Sequence, residues 1–249
     1  MLTIVIPLSG EGKTFIDRGF TFPKPLVEVS GRPMIDIVVA NLKLSEPHRF
    51  VFICRRDHLL KYALDDVLHL IAPDSSVVSI GGETAGALCS VICGSDFISP
   101  EDELIIANGD QFIDRSLDDF VELARTEDAD GALVVFPSTH PKWSYAKTDA
   151  DGLVVAVAEK RPISRNATAG IYYFRRGREF IDAATRTLLK GSSVRGEFYV
   201  CPVYNELILD GRKVVLFQLL RSEMHSLGTP EDLDVFSIHA ATLSLHDGG

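Results

Sequence analysis

One tryptophan, four cysteines and 8% aromatic residues are spread over 249 positions, and no window approaches the ~20 uninterrupted apolar residues of a membrane-spanning helix. The opening Met1-Leu2-Thr3-Ile4-Val5-Ile6-Pro7 lacks the basic start and small-residue cleavage site of a secretory signal, so the expectation is a cytoplasmic protein without membrane insertion. Positive charge is short too: 25 Lys and Arg stand against 35 Asp and Glu, a formal net of −10, with no basic cluster. A surface that tracks nucleic-acid phosphates needs such a cluster, which argues against nucleic acid as a partner. Cys54, Cys89, Cys93 and Cys201 form neither a paired C-x-x-C ligand set nor a dense secreted framework. Cys89 and Cys93, four apart and so stacked on one helical face, read as buried reduced thiols. Repeats, low-complexity tracts and Ser/Pro linkers are also missing, and 46% hydrophobic with 24% charged residues describes one large globular domain.

What is present is a strict alternation of strand and helix. Residues 2–8 form an apolar run typical of a buried strand, followed through Pro25 by a glycine-rich, charged loop with no period of its own. A helix is expected near Pro33 with Met34, Ile37, Val38 and Leu42 on one face, then a strand at 50–54, a helix over 58–71 and a strand at 77–80. A helix from about Thr84 to Phe97, a strand at 103–108 and a helix over 116–127 continue the pattern. Continuous apolar strands separated by helices predict a mainly parallel sheet covered on both faces, Rossmann-like in architecture. After residue 130 the segments shorten, at 132–136, 144–148, 154–158 and 169–174, and read as mixed strands set among helices at about 177–190 and 200–210. A strand at 213–218 and a helix from Pro230 complete the chain, which divides into a nucleotide-binding half (about 1–130) and an acceptor half (about 131–249) of one α/β domain.

The densest signal follows the first strand: Leu8-Ser9-Gly10-Glu11-Gly12-Lys13-Thr14-Phe15, then Phe22-Pro23-Lys24-Pro25-Leu26 and Gly31-Arg32-Pro33-Met34. Glycines let backbone N–H groups approach phosphate oxygens, and a lysine between two prolines can present a fixed positive charge to them. The loop lacks the third glycine of a dinucleotide fingerprint and the earlier glycine of a Walker loop. Asn108-Gly109-Asp110 falls at the carboxyl end of a central strand, where open parallel sheets bind ligands, and a carboxylate there can hold a hard divalent cation.

With these residues in place the sequence resembles the sugar-phosphate nucleotidylyltransferase family, of glycosyltransferase-A-like fold, over nearly its whole length. Further markers are Thr84-Ala85-Gly86-Ala87, Glu159-Lys160, Gly170 to Phe174, Gly196-Glu197-Phe198-Tyr199 and Leu227-Gly228-Thr229-Pro230-Glu231-Asp232. Pro137 to Lys147 and Glu197 to Asn205 are similar to a bacterial subgroup found with capsule and lipopolysaccharide genes, some of them cytidylyltransferases acting on phosphorylated small molecules. The resemblance implies that Leu8, Ser9, Gly10 and Gly12 line the nucleotide and that Gly86 and Ala87 frame the base. It further implies that Lys24 stabilises charge on the α-phosphate, that Asp110 holds Mg²⁺, and that Glu159, Lys160, Gly170 and Glu197 contact the acceptor. The activity implied is Mg²⁺-dependent transfer of a nucleoside monophosphate, CMP favoured, from an NTP to a phosphomonoester with release of pyrophosphate. A nucleotide-sugar-dependent glycosyltransferase or a silent nucleotide-binding protein are the alternatives, and a homo-oligomer is compatible with the sequence.

Two positions depart from the family. Thr14 stands where relatives have an arginine that grips the β- and γ-phosphates, leaving Lys13 as its substitute, and Ser226 stands where many have a second metal-binding aspartate, leaving Glu197 as the candidate. Among the remaining residues, His225 reads as a hydrogen-bonded surface side chain, and Trp143 either packs in the core or rim or stacks on a base or sugar. The acidic pairs Asp65-Asp66, Asp118-Asp119 and Glu231-Asp232 read as solvated first-turn charges.

Overall fold

The computed structural model describes residues 1–244. Its strands are β1 (Leu2–Leu8), β2 (Glu28–Val29), β3 (Arg32–Pro33), β4 (His48–Arg55), β5 (Ser76–Ile80), β6 (Leu104–Ala107), β7 (Gln111–Ile113), β8 (Gly131–Pro137), β9 (Tyr145–Thr148), β10 (Val154–Ala158), β11 (Asn166–Phe174), β12 (Val214–Gln218) and β13 (Met224–Ser226). The helices are α1 (Lys13–Asp17), α2 (Met34–Asn41), α3 (Arg56–Tyr62), α4 (Leu64–Ile71), α5 (Ala87–Cys93), α6 (Leu117–Thr126), α7 (Gly177–Leu189), α8 (Tyr204–Leu209) and α9 (Pro230–Ser244).

A mixed sheet runs β10-β9-β11-β6-β1-β4-β5, with β8 on the other side of part of β11 and β12 beside β8. Strands β6, β1, β4 and β5 are mutually parallel, and β11 runs against β6, β8 and β9. The alternation of side chains along each strand divides the core in two. Ile4, Ile6, Phe52, Ile105 and Val134 pack with α2, α4, α6 and α9 on one face. Val5, Val51, Ile53, Ile106 and Leu133 pack with α5, α7 and α8 on the other. The sequence-expected α/β sheet covered on both sides is therefore the observed one, and among the described residues no helix is long and apolar enough to cross a membrane.

Local differences have physical causes. The helix expected over 58–71 is broken at Ala63, which adopts φ 49° and turns α3 into α4 so that Leu64 and Leu68 can be buried. The helix expected from Thr84 starts only at Ala87, because the Ala85 carbonyl is bonded to the Phe198 N–H and Gly86 takes a non-helical φ of 111°. It ends at Cys93, and a 3-10 turn (Ser95–Phe97) follows. Cys89 and Cys93 are not buried as expected: α5 turns Leu88 and Val91 inward, leaving Cys89 half-buried and Cys93 exposed, and all four thiols are free. The loop after β1 contains α1 and a 3-10 turn at Lys24–Leu26 that its irregular composition concealed. Ser116, taken into the helix expected over 116–127, is its cap instead and accepts from the Asp118 N–H at 3.1 Å.

Candidate active site

Two concave lobes meet at the carboxyl ends of β1 and β6, where Ala87, Asn108 and Asp110 line both. The first, about 300 Å³, is walled by Leu8, Ser9, Gly10, Gly12, Lys24, Gly86, Ala87 and Asp110, eight of the residues picked from sequence. The second, about 270 Å³, gathers Glu159, Lys160 and Gly170 with Trp143, Tyr199 and Asp232. Glu197, expected with the acceptor, lines the first lobe. Lys13 opens α1, is exposed and lines neither, because the chain turns outward at Gly12 (φ 68°). Thr14, on the same short helix, is exposed as well.

Lys24 is held by the loop that carries it. A Cβ on Gly12 would lie 3.0 Å from the Lys24 Cβ, so the glycine lets the two segments close. Pro23 and the 3-10 turn fix the backbone, with Leu26 N–H donating to Pro23 at 2.8 Å and Val27 N–H to Lys24 at 3.2 Å. The Lys24 ammonium lies 5.8 Å from the Phe15 ring centre and makes an ion pair with Asp110. Both partners are about a quarter exposed, so water screens this pair less than a surface one. At the end of β4 beside the loop, Arg55 is gripped bidentately by Asp57 at 2.9 and 2.7 Å.

The wall opposite is a bridge between two chain segments. Phe198 N–H donates to Ala85 at 2.7 Å and Leu88 N–H to Phe198 at 3.1 Å. Gly86, at φ 111° and ψ 172°, makes this possible; a Cβ there would overlap the Phe198 carbonyl oxygen and lie 2.7 Å from its nitrogen. Ser9, Ser90 and Thr84 join hydroxyl to hydroxyl at 2.5 and 2.6 Å, tying the glycine loop to the same wall.

In the second lobe β11 changes partner. Its first residues pair with β9, its last with β6, and the register shifts between Thr168 and Tyr172. Gly170 sits in that bulge at φ 72°, its carbonyl accepting from the Asn108 N–H at 2.9 Å, and a Cβ there would overlap the ends of the Asn108 and Gln111 side chains. Glu159 is buried, accepts from Ser144, and has its pKa raised above the usual carboxylate range by burial. Lys160 donates to Tyr199 at 2.5 Å, and Tyr199 in turn donates to Glu197, so one chain of contacts links the two lobes. Trp143 is 9% exposed and meets Phe136 edge-on at 5.2 Å, while the Lys142 ammonium lies 4.6 Å over its ring. It is thus both packed and cleft-lining.

Asp232 is the residue that sequence reading passed over. It lies in the first turn of α9, as expected, but is only about a quarter exposed: it lines the second lobe and accepts from Ser226 at 2.8 Å. A Cβ on Gly228 would be 3.4 Å from Asp110 Oδ2, 3.7 Å from Asp232 Oδ2 and 3.3 Å from Ser226 Oγ, so the bare glycine keeps open a space flanked by two carboxylates. All-oxygen donors of this kind suit Mg²⁺. The signal lay in Gly228-Thr229-Pro230, whose proline opens α9 and places Asp232 in the first turn, with its N–H held by the Thr229 hydroxyl at 3.2 Å. Asn108, Gln111 and Lys142 also line the cleft without having been assigned a role in advance.

This geometry has known counterparts. A crystal structure of a Vibrio cholerae RC9 protein described as a nucleoside-diphosphate-sugar pyrophosphorylase superposes with a TM-score of 0.81 at 27% identity, covering 94% of this chain and 99% of that one. The UDP-glucose pyrophosphorylase of Acinetobacter baumannii shares the fold, with a TM-score of 0.73 at 15% identity over 96% and 93% of the two chains. The bifunctional protein GlmU of Thermotoga maritima is 26% identical over 191 residues, 74% of this chain and 40% of its own length, so the chain spans about two fifths of that relative. The family model for nucleotidyl transferase matches residues 4–198, from β1 through the bridge at Phe198, and the chain belongs to the nucleotidyl transferase family.

Proposed function

We propose that the chain transfers a nucleoside monophosphate, CMP favoured, from an NTP to a sugar phosphate or similar phosphomonoester and releases pyrophosphate. The observation that carries this is the junction of two lobes at Asp110, with Lys24 ion-paired to it from the first lobe. The nucleotide half supplies one lobe: Leu8, Ser9, Gly10 and Gly12 face the nucleotide, and Gly86 and Ala87 frame its base. The acceptor half supplies most of the other, with Glu159, Lys160 and Gly170 against the acceptor and Glu197 at the border. A phosphate oxygen of the acceptor attacks the α-phosphorus, the bond from that phosphorus to the bridging oxygen breaks, and pyrophosphate leaves. The nucleophile is already anionic at neutral pH, so no general base is required and positioning and charge neutralisation do the work.

Lys24 serves that chemistry by placing its ammonium at the α-phosphate as negative charge gathers there. Asp110 and Asp232 would hold Mg²⁺, which when bound neutralises phosphate charge. Ser226 then orients Asp232, which stands in for the carboxylate that the resemblance implies for many relatives at position 226. The chain's own charge of −10 repels a polyphosphate, so affinity rests on these placed cations and on backbone N–H groups of the glycine loop. A surface-polysaccharide precursor and a cytoplasmic location complete the reading. The test is pyrophosphate release with CTP, UTP and dTTP against a panel of phosphomonoesters. Sugar transfer from a preformed nucleotide-sugar without pyrophosphate would replace this reading with a glycosyltransferase.

A further inference from the structure

We propose that Asp114, His225 and His239 form a binding site for a Zn²⁺-class transition-metal ion, separate from the nucleotide cleft, that ties helix α9 to the β7–β13 ribbon. Three elements deliver the ligands: Asp114 follows β7, His225 lies in β13 and His239 in α9. His225 Nε2 lies 2.8 Å from Asp114 Oδ2 and His239 Nε2 lies 3.0 Å from Oδ1. The two imidazoles are stacked, centroids 3.9 Å apart and planes 21° from parallel. One ligand atom from each residue falls within 4.8 Å of the others. Around a tetrahedral ion with bonds of about 2.0–2.1 Å, neighbouring ligand atoms stand about 3.3 Å apart, so the observed N···O spacings need to open by only a few tenths of an ångström.

The surroundings favour an ion over a chance cluster. Phe112 and Phe236, centroids 5.1 Å apart, form an apolar wall against His225, while the three ligand side chains remain 15–25% exposed and reachable from solvent. The ribbon is fixed independently of α9: the Asn41 side-chain amide donates to the Ile113 carbonyl at 2.8 Å and accepts its N–H at 2.9 Å, and Asp114 N–H donates to Glu223 at 2.8 Å. Two of the three ligands are therefore set before the helix arrives. Two imidazoles and one carboxylate select Zn²⁺, Co²⁺ or Ni²⁺ over Mg²⁺, unlike the all-oxygen pair in the cleft.

The site also reaches the cleft mechanically. His239 lies seven residues beyond Asp232, two helical turns or about 10.5 Å along α9 on the same face. Consecutive residues of β13 grip the two: Ser226 holds Asp232 and His225 stacks on His239. An ion at the three ligands fixes the register of the helix that carries Asp232.

The experiment titrates the metal-stripped full-length protein with Zn²⁺ in excess Mg²⁺ by calorimetry, and with Co²⁺ by visible absorption. The expected result is one Zn²⁺ per chain, a higher Tm, and Co²⁺ ligand-field bands without thiolate charge transfer. His239→Gln and Asp114→Asn, each checked for native far-UV circular dichroism, should weaken Zn²⁺ by more than about 100-fold, beyond the 10–100-fold typical of an outer partner. No stoichiometric Zn²⁺ in the unaltered chain overturns the proposal. So does undiminished binding in a folded variant, or a thiolate band assigning the ion to Cys89 and Cys93.

Discussion

Replacing Gly86 by alanine tests whether the bridge to Phe198 builds the first lobe, the one proposed to hold the nucleotide. At φ 111° and ψ 172° the backbone occupies a region nearly closed to residues with a Cβ, at a cost of about 1–3 kcal/mol. The added methyl also overlaps the Phe198 carbonyl and lies 2.7 Å from its nitrogen; these are backbone atoms that cannot rotate aside. Relief requires opening the hydrogen bonds at 2.7 and 3.1 Å, worth about 1 kcal/mol each. The total is about 3–5 kcal/mol, a large part of a typical domain's 5–15 kcal/mol. At roughly 2–4 °C per kcal/mol for a chain of this size, Tm should fall by about 6–20 °C. Because Glu197 and Tyr199 flank Phe198 and line the two lobes, KM for both substrates should rise together. Gly82→Ala is the control, since nothing lies within 4 Å of its added Cβ. Differential scanning fluorimetry with steady-state kinetics decides the matter. A Gly86→Ala protein with Tm within about 2 °C of the parent and both KM values unchanged refutes the argument.

Lys24→Ala should lower kcat by about 10²–10³-fold, the usual cost of losing a group that stabilises transition-state charge, with CD unchanged; full turnover would remove the lysine from the mechanism. Asp232→Asn should weaken the Mg²⁺ requirement's apparent affinity at least tenfold, and an unaltered Mg²⁺ titration would return Asp232 to the surface role read from sequence. Burial raises the Glu159 pKa, so the folded protein binds that proton more tightly than the unfolded chain. Its contribution is stabilising in acid and is lost as pH rises through the folded pKa. Glu159→Gln should therefore gain Tm over the parent at pH 8 relative to pH 4, and a pH-independent difference would contradict this. The Tyr204 hydroxyl lies buried 2.8 Å from the carbonyls of both Ala132 and Tyr173, so Tyr204→Phe should cost about 1–3 kcal/mol in urea unfolding.

Most of the sheet was legible because its strands are continuous apolar runs, and nearly all the cleft-lining glycines because they sit in short motifs. Ribbons such as β2–β3 and β7–β13 were not, since two- and three-residue strands carry no period. Cys93 was misplaced because spacing assigns two residues to one helical face without saying which face meets the core. Asp232 was missed for a related reason: an acid in a first helical turn suits the helix dipole anywhere, and only the approach of Asp110 and Ser226 gives it a site. Gly170 was chosen by resemblance, while its physical necessity, a positive φ in a strand that switches partners, belongs to long-range pairing.

The antiparallel entry of β11 beside β6 also bears on how the chain can be divided. β6 is a central strand, with β1 on one side and β11 on the other, and its four residues are fully buried. A fragment stopping near residue 130 would keep the glycine loop, Lys24 and Asp110 yet turn β6 into an unpaired apolar edge, the kind of template that recruits other chains. β8, the partner of β11, in turn waits for β12, more than eighty residues further on. The two halves are thus not separable folding units: the sheet closes only once β11 has paired with β6 and β12 with β8.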